Sequence, residues 1–136
     1  MAQGKWIEDL KQYLRKSTSG PIDINGITHE SERLANLVEM SRGSKVVYLT
    51  DFRPKEDYGN IVNFTRGADL LVCESKFSSH DTELAKRAKH MTAEESAKLA
   101  CDAEVKELLL VHFSKRYSRN PTALIDEAKK YFSNVR

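Results

Sequence analysis

Ala68-Asp69-Leu70-Leu71-Val72-Cys73-Glu74 is a continuous apolar run that ends in a carboxylate, and the chain repeats this form on either side of it. Upstream, Lys45-Val46-Val47-Tyr48-Leu49-Thr50 leads into Asp51; downstream, Glu107-Leu108-Leu109-Leu110-Val111 leads into His112. Runs of this length, rich in Val, Leu and Tyr, predict strands, and unbroken apolarity predicts that both faces of each are covered. Between them the pattern changes to helical. Asn60 to Thr65 suits a short helix, and Thr92-Ala93-Glu94-Glu95 has the spacing of a capping box opening a helix with Ala97, Ala100 and Ala103 along it. Asn120-Pro121 fits a further helix start, with Leu124, Ile125, Ala128, Tyr131 and Phe132 as its apolar stripe. Strands alternating with helices make an α/β architecture.

Toward the N-terminus, Trp6, Ile7, Leu10, Tyr13 and Leu14 recur at helical spacing, and Ser17 to Pro21 breaks the helix. Asn25-Gly26 predicts a tight turn between two short extended pieces within residues 22–27. A helix is expected from Glu30 to Met40, with Leu34, Leu37, Val38 and Met40 on one side and Gly43 near its end.

At 136 residues the chain is sized for a single domain, 1–136. With 31% charged and 40% hydrophobic residues it has the balance of a soluble protein, without an apolar run of membrane-spanning length. The first residues lack the apolar core and cleavage site of a signal peptide, so a cytoplasmic location is expected. Cys73 and Cys101, without scaffold spacing, are expected to be reduced. A formal charge of +2 is mildly basic, far from the dense Lys/Arg surface that would by itself argue for nucleic acid, and decides nothing.

Ligands of open α/β sheets bind beyond the carboxyl ends of the strands, where Asp51, Glu74 and His112 are all expected to lie. Each residue also has an ordinary reading. Asp51 in Asp-Phe-Arg-Pro is a good turn initiator, His112 can be a satisfied structural histidine, and Cys73 is either a small core hydrophobe or a thiolate ligand. Glu74 is harder to explain away, because a carboxylate at a buried strand end needs a partner or a metal. His90 directly precedes the Thr92 helix start, where backbone N–H groups favour an anion such as phosphate. His29 and His80 lie in polar segments and receive no role.

The strings YLTDF (48–52), ADLLVCESKF (68–77) and KHMTAEESAKLACDAEVKELLLVHFSKRY (89–117) resemble, in order, the C-terminal motifs of ribonuclease Z and its metallo-β-lactamase-fold relatives. The resemblance implies the C-terminal half of that αβ/βα fold. It implies a zinc-dependent endoribonuclease of the tRNA 3′-processing type, with Asp51 bridging two zinc ions and His112 binding the second. Glu74 and His90 correspond to the family's HEAT-like and HST-like motifs and are implied to be catalytic, the Glu supporting a His that protonates the leaving oxygen. Ser114 and Arg116, from the Ser-x-Arg-Tyr element, are implied to hold phosphate. The sequence departs from the pattern at Phe52, at Cys73 before Glu74, at Ser75-Lys76 in place of Ala-Thr, and at Met91 in place of Ser.

HxHxDH occurs nowhere in the chain. The resemblance thus implies an incomplete site, to be completed by a polypeptide carrying that motif, and a sheet with an apolar face and an edge uncovered. Association with that missing half or with a second copy in a homodimer is expected. RNA or another phosphodiester is the implied substrate. A non-catalytic module of the same fold, used in partner binding, is the second reading. A third is a different small α/β enzyme or phosphate binder whose strand-end residues only imitate the pattern, which wide separation of Asp51 and His112 would favour.

Overall fold

The structure, a computed structural model, describes residues 4–39, 41–54 and 57–136, which cluster into two compact units divided between Arg42 and Gly43. No helix among the described residues is long and apolar enough to cross a membrane.

In the first unit, α1 (Lys5–Lys16) buries Leu10 and ends at Ser17, whose left-handed φ of 50° lets Thr18 N–H reach back to Tyr13 O at 3.1 Å. β1 (Pro21–Ile24) and β2 (Ile27–Glu30) pair antiparallel. Asn25 and Gly26 turn the chain between them, both at positive φ (56° and 83°), as a two-residue hairpin with right-twisted strands requires. Leu10, Ile22 and Leu34 form a small core against Trp6, Tyr13, Leu14, Ile24 and Val38.

The helix expected over Glu30 to Met40 is shorter: α2 covers only Ser31–Ala35. Leu37 and Val38 donate to Leu34 O and Ala35 O in three-residue bonds that unwind the end, and Leu37 is exposed. The small core takes up Leu34 and Val38, and a longer helix would bury nothing further. Met40 lies outside the described residues.

The second unit runs β3 (Val46–Leu49), α3 (Tyr58–Thr65), β4 (Leu70–Glu74), α4 (Thr82–Ala88), α5 (Ala93–Asp102), β5 (Leu108–Val111) and α6 (Thr122–Ala128). Its three strands form one parallel sheet in the order β3-β4-β5. Parallel neighbours cannot be joined by a hairpin, so helices occupy each crossover. The expected capping box is present: Thr92 Oγ1 accepts from Glu95 N–H at 3.2 Å, and Glu95 Oε2 accepts from Thr92 N–H at 2.8 Å. Ala93, Ala97 and Ala100 are fully buried, and their small side chains bring α5 close against Leu71, Cys73, Leu108 and Leu110 of the sheet.

Three expectations are corrected. Coverage of β3 is one-sided: Val47 is buried, whereas Val46 and Tyr48 are 62% and 64% exposed, because the helical core takes up only alternate residues of the strand. The last helix stops at Ala128 rather than running on to Phe132, and Tyr131 instead carries Lys98 Nζ 5.0 Å from its ring centroid. The expected uncovered edge is narrowed to β3, which has β4 as its one strand partner among the described residues, because the outer edge of β5 is not open. Leu108 and Leu110 donate to Asn134 O and Arg136 O at 3.0 and 2.9 Å, so residues 134–136 add a short parallel extension.

Cys73 is fully buried in this core, and burial pushes its thiol up to about 12, which makes it a packing residue; Cys101 is exposed. A thiol-specific chromogenic reagent at mildly alkaline pH is expected to label one cysteine in the native chain and both after denaturation. Leu99→Ala, at a fully buried position between helix and sheet, is expected to cost about 2–5 kcal/mol in urea unfolding.

Candidate active site

Sheet register sets the site. Leu49 lies opposite Cys73, and Glu74 lies opposite Val111, so Asp51, Glu74 and His112 leave the sheet at the same end. Asp51 and His112 both adopt the left-handed conformation, at φ 53° and 62°. Non-glycine residues rarely do so, and here it turns each chain sharply out of its strand.

Glu74 is completely buried. Its Oε1 accepts Phe52 N–H at 2.6 Å, from the residue after Asp51. Its Oε2 takes His90 Nδ1 at 2.8 Å and Met91 N–H at 3.3 Å, and lies 3.9 Å from His112 Nδ1. With a carboxyl oxygen as partner, Nδ1 of His90 carries the hydrogen, which leaves Nε2 as an acceptor. Lys76 Nζ donates to that nitrogen at 2.8 Å. His90 itself is fixed from behind, its N–H bonded to Ala85 O at the end of α4.

His112 Nε2 is 3.7 Å from the exposed Asp51 Oδ1, and the His112 and His90 rings meet edge to face at a centroid distance of 5.0 Å. Asp51, His90 and His112 each offer a ligand atom, and the three lie within 4.8 Å of one another. Wide separation of Asp51 and His112 would favour the third reading, of strand-end residues that only imitate the pattern; they are neighbours, which argues against it. His112 Nδ1 is buried without a hydrogen-bond partner among the described residues, in a place where buried polar atoms are normally satisfied. A carboxylate oxygen beside imidazole nitrogens is a donor set suited to a divalent metal, so the residues present fit one.

Ser114 and Arg116 are engaged elsewhere. Ser114 Oγ accepts Arg116 N–H at 3.5 Å, and the Arg116 guanidinium donates to Asp81 Oδ1 at 2.9 Å. Asp81 also accepts the Tyr117 hydroxyl. That hydroxyl, and then Arg116, hold its carboxyl below the usual range. Ser114 N–H donates to Lys76 O at 3.1 Å, which ties this loop to the one leaving β4.

Two further residues of the site escaped the sequence reading. Lys76 was legible only as a departure from Ala-Thr, although a lysine two positions past Glu74 falls on the same side of an extended chain. Arg53 donates to His90 O at 2.7 Å and to Glu95 Oε2 at 3.0 Å, with a second, closer contact to Glu95 Oε1. It thus couples the Asp51 loop to the capping box. Nothing local in Asp-Phe-Arg-Pro announces a pairing 42 residues away.

A family model for the β-lactamase superfamily domain matches residues 15–113, a span that holds Asp51, Glu74, His90 and His112 and stops just short of Ser114. The ribonuclease Z of Archaeoglobus fulgidus is 42% identical over 99 residues, covering 73% of this chain and 31% of that protein. The ribonuclease Z of Clostridium perfringens is 39% identical over 114 residues, covering 83% and 34%. The chain therefore spans about a third of the length of these relatives. Among solved structures, the metallo-β-lactamase fold protein YhfI from Bacillus subtilis superposes with a TM-score of 0.59 at 25% identity, over 87% of this chain and 44% of that one. By the extent of these matches and by its parallel α/β sheet, the chain belongs to the β-lactamase superfamily and has the metallo-β-lactamase fold.

Proposed function

We propose that this chain carries one part of a ribonuclease Z-like, zinc-dependent phosphodiesterase that cleaves RNA, of the tRNA 3′-processing type, working in the cytoplasm. The observation that supports it most is the convergence of Asp51, Glu74, His90 and His112 beyond one end of a parallel sheet.

In this reading Asp51 and His112 hold zinc. Zinc, when bound, supplies Lewis acidity toward water and phosphate. Asp51 and His112 make two ligands, and a catalytic zinc site takes three from protein, so further ligands come from an HxHxDH-bearing segment outside this sequence. Glu74 orients His90 through Nδ1 and stabilises positive charge on the ring, and the proton that Lys76 donates toward Nε2 is taken up there and passed to the leaving oxygen. Arg116 binds a phosphate oxygen by exchanging its Asp81 partner for substrate, with Ser114 fixing the loop.

The chain is proposed to act as a single domain of that enzyme, and the exposed Val46 and Tyr48 favour a protein partner on their face of the sheet. The HxHxDH segment is its proposed occupant. The non-catalytic reading predicts the same partner without turnover.

The test is to measure bound metal and hydrolysis of an RNA phosphodiester with this chain alone and with a polypeptide carrying HxHxDH. Turnover is expected only in the mixture, and His112→Ala is expected to lower it by about a hundredfold or more. Mixing without turnover, while the two polypeptides co-elute, would establish the non-catalytic module. Light scattering of the chain alone is expected to show self-association through the uncovered face, and a monomer that binds no hydrophobic dye would rule that out. Arg53→Ala is expected to destabilise by about 1–3 kcal/mol and to shift the ring resonances of His90.

A further inference from the structure

We propose that Lys76 is a specificity-determining residue that keeps divalent metal off His90. Asp51, His90 and His112 offer three donor atoms within 4.8 Å of one another, which is enough protein ligation for zinc. A metal held by that triad would take His90 away from proton transfer. The structure closes the triad on one side. Nδ1 of His90 is committed to the fully buried Glu74, and Nε2 is committed to the Lys76 ammonium, so neither ring nitrogen is open to a cation.

Lys76 is held in place to do this. Ser75 N–H donates to Val111 O at 2.8 Å, Lys76 O accepts Ser114 N–H at 3.1 Å, and Phe77 bridges Thr92. The ammonium is therefore delivered by a backbone fixed on both sides, with a short reach to the ring. A metal on His90 Nε2 would have to break the Lys76 bond and then tolerate an ammonium a few ångströms away, where like charges repel strongly because little water intervenes. His112 differs in kind. Its Nε2 faces Asp51 Oδ1 at 3.7 Å, and its Nδ1 has no hydrogen-bond partner among the described residues. The lysine thus sorts two adjacent imidazoles, closing His90 to metal and leaving His112 open to it. This deepens the proposed function, but its test needs no turnover.

The experiment is a cobalt(II) titration of the whole chain at near-neutral pH, followed by calorimetry and by the visible ligand-field bands of the bound ion. Four proteins are compared: wild type, Lys76→Met, Lys76→Arg and the double variant Lys76→Met with His90→Asn. Lys76→Met keeps the apolar stem and removes the charge, and it is expected to bind one cobalt ion about tenfold or more tighter than wild type. Lys76→Arg is expected to stay with wild type, and the double variant to lose the gain. Lys76→Thr serves in place of Lys76→Met should the latter not retain the native thermal midpoint. Equal cobalt affinity in wild type and the charge-removing variant overturns the proposal, as does a gain that survives loss of His90. Failure of the mixed polypeptides to hydrolyse RNA would sink the phosphodiesterase reading and leave this one standing.

Discussion

A carboxyl group with no access to water must find its partners inside the protein, and Glu74 is such a group. Leaving it unpaired would cost several kcal/mol, comparable to much of the stability of a small domain. Its partners come from separate parts of the chain: Phe52 N–H from the loop after β3, and His90 Nδ1 with Met91 N–H from the segment before α5. Its own carbonyl accepts Ser96 Oγ at 2.5 Å, from within α5. Satisfying this residue therefore assembles the site, because the segments it gathers are the ones that carry Asp51 and His90. Folding and site formation are coupled through the same hydrogen bonds.

The backbone at the strand tips is strained in a way that this gathering sustains. Asp51 and His112 sit in the left-handed region, at a cost of roughly 1–3 kcal/mol each. The chain on either side over-determines them. Phe52 is tied to Glu74, Ser114 to Lys76, and Arg53 reaches across to His90 O and the capping-box Glu95. An isolated loop would relax out of this conformation, and a loop bonded within one or two residues is held in it. Arg53 and Glu95 also connect helix capping to site geometry, since Glu95 closes the start of α5 and anchors the guanidinium with the same carboxyl group.

What could be read from the sequence was whatever depends on near neighbours. The Asn25-Gly26 hairpin, the Thr92 capping box and the three strand runs are each specified within a few residues, and the strand-tip position of Asp51, Glu74 and His112 follows from them. The misreadings depend on distant packing. Val46 and Tyr48 look as apolar as Val47, and only the one-sided helical layer separates them. The expected helix to Met40 has the right periodicity, yet the small core of the first unit stops rewarding it after Leu34 and Val38. Pairing of residues 134–136 with β5, and of Arg116 with Asp81 35 residues earlier, has no local signature at all.

The two histidines share a residue type and differ in their hydrogen bonding. His90 and His112 are both imidazoles beside Glu74, with rings 5.0 Å apart, but only His90 lies within hydrogen-bond distance of the carboxyl group, at 2.8 Å against 3.9 Å. What distinguishes them is hydrogen-bond saturation. His90 has a carboxyl partner on one nitrogen and an ammonium on the other, which fixes its tautomer and leaves it no lone pair to give a metal. His112 has one nitrogen without a partner among the described residues and the other directed toward the exposed Asp51, at a distance an ion could bridge more readily than a hydrogen bond. A bond of 2.8 Å from Lys76 thus separates two otherwise similar side chains, and it comes from the position where the sequence departs from the family pattern.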